Sequence, residues 1–151
     1  MKLANSIKIS VFAKGEENEQ EIEDKLKQLI PLDLEKEKIA VTKQTATGFN
    51  ETRIRIIEAM LTKDRHINAF LEKLSENMSE KQKELLIRQK ESRLDDELNF
   101  FIRLDKEKLL NNEYWVTDSG NCYHIRINIA AFPKRREYAL EMIEKVVNKK
   151  F

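Results

Sequence analysis

The segment from Leu98 to Leu110 constrains the fold most, because an alternating apolar pattern in it passes directly into a helical one. Apolar residues occupy every second position of its first half, as in a strand with one buried face: Leu98, Phe100, Ile102 and Leu104. Asp105 follows at once, and its carboxylate is suited to accept a hydrogen bond from a free N–H in a first helical turn. The segment therefore predicts a core strand that joins a short helix without a loop.

Alternation of the same kind predicts strands over residues 7–13, 52–56 and 123–129, and β-branched residues predict another over 39–46. Gly48 and Asn50 are suited to the turn of a hairpin between the strands predicted over 39–46 and 52–56. Residues 58–62 fit either a strand end or a helix start.

Helical spacing of apolar residues predicts a helix that Pro31 stops, two helices that Asp64 and Ser79 cap, and a last helix with Pro133 in its first turn. This order of elements is typical of an α+β fold with an antiparallel sheet and helices packed mainly on one face. At 151 residues, with no repeat or linker, the chain is expected to form a single domain, 1–151.

Composition excludes some classes of protein and leaves others open. The 28 basic and 27 acidic residues give a net charge of +1, so bulk charge does not indicate a nucleic-acid binder, although residues 134–150 carry a local excess of positive charge. Cys122 is the only cysteine, which excludes an internal disulfide and argues against a metal site; no cofactor is expected. No apolar run approaches the length of about 20 residues that spans a membrane, and we expect a cytoplasmic protein.

Alternation also divides the side chains between the two faces of the predicted sheet. If helices cover the face with Ile7, Ile9, Ile54, Ile56, Phe100, Ile102, Ile125 and Ile127, the other face carries Lys8, Ser10, Phe12, Arg53, Arg55, Phe101, Arg103, His124, Arg126 and Asn128. Cations interleaved with aromatic rings on an open sheet suit RNA, because arginines neutralise phosphates and rings stack on bases. The alternatives are plain solvent-facing residues whose aliphatic stems cover the sheet, or rings buried under a helix or in a dimer interface.

Two smaller features bear on function. Lys134, Arg135 and Arg136 form a basic cluster at the start of the last helix, where the helix dipole disfavours cations, so a phosphate partner is one reading and a solvated helix turn the other. Cys122 and His124 lie two residues apart on one predicted strand face, as a catalytic dyad would, but no motif supplies an orienting group or an oxyanion site.

Three segments together resemble an archaeal family described as RNA-binding proteins or predicted exosome subunits. They are residues 10–16 (Ser-Val-Phe-Ala-Lys-Gly-Glu), 29–31 (Leu-Ile-Pro) and 101–106 (Phe-Ile-Arg-Leu-Asp-Lys). The resemblance implies the fold of the ribosomal protein that binds 5S ribosomal RNA, and it touches Arg103 and Lys106 among the candidate contacts.

The sequence thus predicts a non-enzymatic RNA-binding protein, an accessory to RNA processing or exosome function, whose partners are single-stranded or structured RNA and an RNA-processing assembly. The predicted RNA contacts are Arg53, Arg55, Phe101, Arg103, Lys106, Arg126, Lys134, Arg135 and Arg136. The alternatives are a protein-interaction module that docks or forms a homodimer through the sheet face or edge, and an enzyme centred on Cys122 and His124.

Overall fold

The computed structural model describes residues 2–48 and 52–149. Its elements, in chain order, are β1 (Ala4–Lys14), α1 (Glu19–Leu29), β2 (Val41–Thr47), β3 (Arg53–Leu61), α2 (Asp64–Asn77), α3 (Glu80–Arg88), β4 (Asn99–Asp105), α4 (Lys106–Leu110), β5 (Cys122–Ile129) and α5 (Arg136–Val147). Within these ranges, five strands form one sheet in the order β2-β3-β1-β5-β4, and each neighbouring pair is antiparallel. The predicted α+β architecture is confirmed.

One face of this sheet is covered by helices. α1 and α2 pack on β1, α5 packs on β5, and α3 lies against α5. The strand residues beneath them are almost fully buried: Ile7, Ile9, Val11, Ile57, Leu61, Phe100, Ile102, Leu104, Tyr123, Ile125 and Ile127. Each such apolar side chain stabilises the fold by about 1.5–3 kcal/mol. The Tyr123 hydroxyl also donates to the Ile22 carbonyl at 2.8 Å, which ties β5 to α1.

The two edges of the sheet differ. Short bridges from Leu94 to Phe100 and from Val116 to Leu104 cover the outer edge of β4. The opposite edge strand, β2, pairs only with β3 in the described part of the chain. A covered edge cannot pair with a strand of another chain, so the outer edge of β2 is the one more available for such pairing.

Several local predictions are confirmed and others shift. Asp105 caps α4 by accepting from the Lys108 N–H at 3.0 Å, and Ser79 caps α3 by accepting from the Gln82 N–H at 3.2 Å. Asp64 is the first residue of α2 instead of its cap. Pro133 was predicted in the first turn of the last helix, but α5 begins at Arg136.

The prediction for β3 was wrong in phase. The strand continues to Leu61, and Ile57 lies opposite Val11 on the helix-covered side. Ile56 lies opposite Phe12, on the other side. The adjacent isoleucines 56 and 57 allow the alternation to be read in two phases, and burial of residues 57, 59 and 61 decides between them.

This phase puts Ile54 and Ile56 on the uncovered face and Arg53 and Arg55 on the helix-covered side, the reverse of the prediction. Of the predicted hairpin turn, Gly48 donates its N–H to the Thr52 carbonyl at 2.7 Å. The other predicted turn residue, Asn50, lies outside the described residues.

Candidate nucleic-acid interface

The uncovered face of the sheet is organised in rows that cross the strands. Ser10 of β1, His124 of β5 and Arg103 of β4 lie directly opposite one another. The neighbouring row consists of Lys8, Arg126 and Phe101, on the same strands in the same order. We refer to these two rows together as the cationic rows. Directly opposed residues of antiparallel strands point to the same face. The predicted placement of these side chains on one face is confirmed.

Arg103 and Arg126 are the cations of these two rows that form no ion pair with a described residue, although Asp95 lies within electrostatic range of Arg126. Lys14 is also on this face, opposite Ile54, but lies at the end of β1 and outside both rows. Neither guanidinium has an ion-pair partner within 4.0 Å among residues 2–48 and 52–149; Arg103 donates to the Asp118 carbonyl at 3.1 Å. Lys8, in contrast, forms an ion pair with Glu58 at 2.9 Å. The two arginines are therefore the groups best placed to contact an anionic ligand.

An aromatic pair lies between these arginines. The ring centroids of Phe101 and His124 are 5.2 Å apart at an interplanar angle of 36°. Partial burial, and then the charges of Arg103, Arg126 and Lys8, hold the pKa of His124 below its usual value. The lowered pKa favours the neutral imidazole at neutral pH; burial is the larger cause, and the three nearby cations act in the same direction.

Two clefts flank the pair Arg103 and His124, which lines both. The first has a volume of about 370 Å³ and also includes Phe101, Arg93 and Asp118. The second has a volume of about 280 Å³, and its remaining wall includes Ser10, Phe12 and Cys122. The face is therefore concave on both sides of the cationic row.

Cys122 and His124 line the second cleft together, as the enzyme alternative requires. However, burial raises the pKa of the Cys122 thiol above its ordinary value, against the opposing effect of Arg103 and Lys106. A cysteine nucleophile needs a lowered pKa, because the thiolate is the reactive form. This environment is unsuited to a nucleophile.

Lys106, a predicted RNA contact, is buried inside the protein instead of exposed on the face. Its side chain is 2% exposed, and its ammonium donates to the Phe12 carbonyl at 2.6 Å. It also donates to both carboxylate oxygens of Glu17, at 3.1 and 3.2 Å. The sequence pattern cannot show this role, because Glu17 and Phe12 are remote in the chain. Lys106 joins the start of α4 to the end of β1.

Arg53 and Arg55 are also displaced from the candidate face. Arg55 lies on the helix-covered side, where its Nε is 3.3 Å from a carboxylate oxygen of Glu19 and its guanidinium donates to the Thr45 hydroxyl at 3.0 Å. Arg53 is exposed on the same side, opposite Thr47. The structure does not bring either arginine together with Arg103 and Arg126.

The basic cluster before α5 is divided. The Arg136 guanidinium donates to the carbonyls of Leu94 at 3.0 Å and Glu91 at 2.6 Å, so it anchors the chain ahead of β4. Lys134 and Arg135 are exposed, and Arg135 takes the N-cap position of α5 without a capping side chain. An RNA contact by this cluster stays a prediction.

Met60, Ile56 and Glu58 belong to the uncovered face and were not predicted there. The alternating apolar residues 57, 59 and 61, in the segment that fitted either a strand or a helix, are the sequence signal that would have revealed them.

Among residues 2–48 and 52–149, no group of three or more His, Cys, Asp or Glu side chains is placed to hold a metal ion. No helix in that part of the chain combines the length and apolar content needed to cross a bilayer.

Comparison with known proteins gives this face a context. A family model described as RNA binding matches residues 6–130, which include all of β2 to β5 and all but the first two residues of β1. The chain belongs to this RNA-binding family. The match covers the cationic rows and leaves out α5.

The RNA-binding protein PAB1135 of Pyrococcus abyssi is 26% identical over 140 residues, which cover 93% of this chain and 91% of that protein. The structure of Mth689, a DUF54 protein of Methanothermobacter thermautotrophicus, matches with a TM-score of 0.77 and 26% identity over 96% of this chain and 98% of that one. AF2318 of Archaeoglobus fulgidus, also a DUF54 protein, has a TM-score of 0.84 at 22% identity, covering 95% of this chain and 99% of its own, and shares the fold.

Proposed function

We propose that this protein binds RNA through the uncovered faces of β1, β5 and β4, with Arg103 and Arg126 contacting phosphates. The observation that carries the proposal is a pair of arginines that form no ion pair within 4.0 Å among the described residues, set beside an aromatic pair on the uncovered face. Arginine forks match phosphate oxygens, and an aromatic ring offers a stacking surface to any base. No step of this function requires catalysis.

Family membership and the name of the Pyrococcus abyssi relative support RNA as the ligand. The resemblance of residues 10–16, 29–31 and 101–106 to predicted exosome subunits extends the proposal to an accessory role in RNA processing, in the cytoplasm. The same resemblance leads us to propose that the chain shares the fold of the ribosomal protein that binds 5S ribosomal RNA. Association with a processing assembly is tested separately, by co-purification of this protein with exosome subunits.

The test of RNA binding is a fluorescence titration of a short single-stranded RNA across a salt series. Each phosphate contact contributes about 0.7 to the slope of log affinity against log salt. The variant Arg103→Gln/Arg126→Gln keeps part of each aliphatic stem over the sheet and removes both charges. We expect its slope to fall by about 1.4 relative to the unmodified protein.

A matched control removes two charges elsewhere. Lys81→Gln/Arg88→Gln changes two exposed cations of α3 and reduces the net charge equally. We expect this control to keep the salt slope, since neither side chain lies in the cationic rows. Equal slopes in the two double variants, both with native circular dichroism, would refute phosphate contacts at Arg103 and Arg126.

A second candidate function is docking or homodimerisation through an edge strand. The outer edge of β2, which no other described strand pairs, favours it. Thr45→Pro would disrupt such an edge, because proline removes a backbone donor. Analytical ultracentrifugation tests this candidate: a monomer at all concentrations excludes the homodimer.

A further inference from the structure

The uncovered face is chemically divided between its two halves. β5 and β4 carry Arg126 and Arg103, whereas β3 carries Ile54, Ile56 and Met60 and the neighbouring β1 adds Phe12. Lys8 and Lys14 of β1 lie on either side of Phe12 along the strand. Phe12 is 48% exposed and Met60 is 44% exposed, and these exposures are informative because the two side chains share one face with Ile56. Ile56 lies directly opposite Phe12 and is half-buried. Together Phe12, Ile56 and Met60 form an apolar half of the face.

A carboxylate distinguishes the two halves further. Glu58 lies opposite Ser10, between the rows of Ile56 and Met60, and its charge is balanced by Lys8 at 2.9 Å. A phosphate placed over β3 would therefore meet a carboxylate within the row itself. Among the described residues, Arg103 and Arg126 have no carboxylate within 4.0 Å; Asp118 beside Arg103 is paired with Arg93 at 3.2 Å, and Asp95 lies farther from Arg126 but within electrostatic range. The charges of the face favour one side for a phosphate backbone.

We infer that the RNA lies on this face as a single strand, its phosphates over Arg103 and Arg126 and its bases against Phe12 and Ile56. The inference rests on the proposed function and assigns to it both a substrate class and an orientation.

Single-strandedness follows from what the apolar half can contact. In an RNA duplex the bases face each other and the phosphates line the outside, so a protein meets mainly backbone and groove edges. Bases of a single strand are free to leave the stack and lie on an aromatic ring. The cleft of about 280 Å³ joins the two halves, since Phe12 and Arg103 both line it. A base and its own phosphate can contact these two side chains at once.

The first test measures stacking at Phe12 directly. Trp115 is the only tryptophan, so the variant Phe12→Trp/Trp115→Phe carries its single indole on the uncovered face. We expect single-stranded RNA to quench this fluorescence at the concentrations that give binding by polarisation. A duplex of the same length is expected to bind at least about ten-fold more weakly and to leave the tryptophan fluorescence unquenched.

A second test uses truncation with a matched control. Phe12→Ala is expected to weaken single-stranded RNA binding about ten-fold and to leave the salt slope unchanged, because it removes a base contact and no phosphate contact. Phe132→Ala removes an aromatic ring that is 96% exposed in the loop between β5 and α5. This control is expected to leave RNA affinity and its salt slope unchanged.

The outcomes separate this inference from the proposed function. Salt-dependent binding that depends on Arg103 and Arg126, with no quenching at position 12 and no loss in Phe12→Ala, overturns the orientation and leaves the RNA-binding proposal standing. Equal affinity for duplex and single strand has the same meaning. Absence of salt-dependent RNA binding overturns both, and self-association lost in Phe12→Ala would assign the apolar half to a second copy of the chain.

Discussion

Replacing Lys106 by methionine should destabilise the protein without changing how it binds RNA. The substitution keeps an unbranched apolar stem and removes an ammonium that is 2% exposed. The Phe12 carbonyl then loses its donor at 2.6 Å, and Glu17 loses a partner at 3.1 and 3.2 Å. The perturbation therefore breaks contacts between α4, the end of β1 and the segment that follows β1.

The expected loss comes from two contributions. A buried carbonyl left without a donor costs about 1–3 kcal/mol. Loss of the ion pair adds up to about 1 kcal/mol, because the Glu17 end is partly solvated and screened. We expect a decrease of about 1–4 kcal/mol in the free energy of unfolding, and a fall in Tm of about 2–4 °C for each kcal/mol at this chain length.

Urea denaturation followed by circular dichroism measures this change, and Lys108→Met is the control. Lys108 is exposed on the same helix, with its ammonium 4.8 Å from the centre of the Trp115 ring. We expect its loss to change stability by less than about 1 kcal/mol. The Lys106→Met variant should lose as much stability at high salt as at low salt, since buried contacts are weakly screened.

RNA binding provides the decisive comparison for Lys106. If its ammonium is buried, the salt slope of RNA affinity stays unchanged in Lys106→Met. A stability change below about 0.5 kcal/mol together with a reduced slope would refute the buried contact and restore Lys106 as a phosphate ligand.

Two further predictions concern β5. The folded-state pKa of His124 lies below its ordinary value of about 6.5, so the unfolded chain binds a proton first as pH falls. The contribution of His124 to stability is therefore present above about pH 6.5 and lost below it. Replacing His124 by Gln should make the free energy of unfolding less dependent on pH below that value. A pH profile that is unchanged in His124→Gln would contradict this. Tyr123→Phe should cost about 1 kcal/mol in urea unfolding, because it removes the hydroxyl that donates to the Ile22 carbonyl at 2.8 Å; a neutral effect would show that this hydrogen bond contributes nothing to docking α1.

Much of the fold was predictable because its signals are local. Asp105 caps α4 and Ser79 caps α3 as predicted, since a cap depends on a side chain and backbone groups within the next few residues. Gln82, three residues after Ser79, has the spacing of a capping-box partner, which would turn back to the Ser79 N–H. Instead its amide oxygen accepts from the Val116 N–H at 2.7 Å. A distant backbone donor competed successfully for that side chain.

The candidate site divides along the same line. Phe101, Arg103 and Arg126 lie on the uncovered face as predicted, because β4 and β5 alternate in one unambiguous phase. Arg53 and Arg55 do not, because the neighbouring isoleucines at 56 and 57 permit two phases. Their contribution to RNA binding, like that of the three correctly placed residues, stays a prediction.

The sequence by itself determined the elements, their order, and which face each side chain of β1, β5 and β4 takes, since periodicity and capping act over a few residues. Only the tertiary structure decided the phase of β3, the burial of Lys106 and the division of the open face into cationic and apolar halves. The physical reason is that each depends on partners remote in the chain. Val11 must meet Ile57, and Glu17 must meet Lys106, before either side chain has a defined environment.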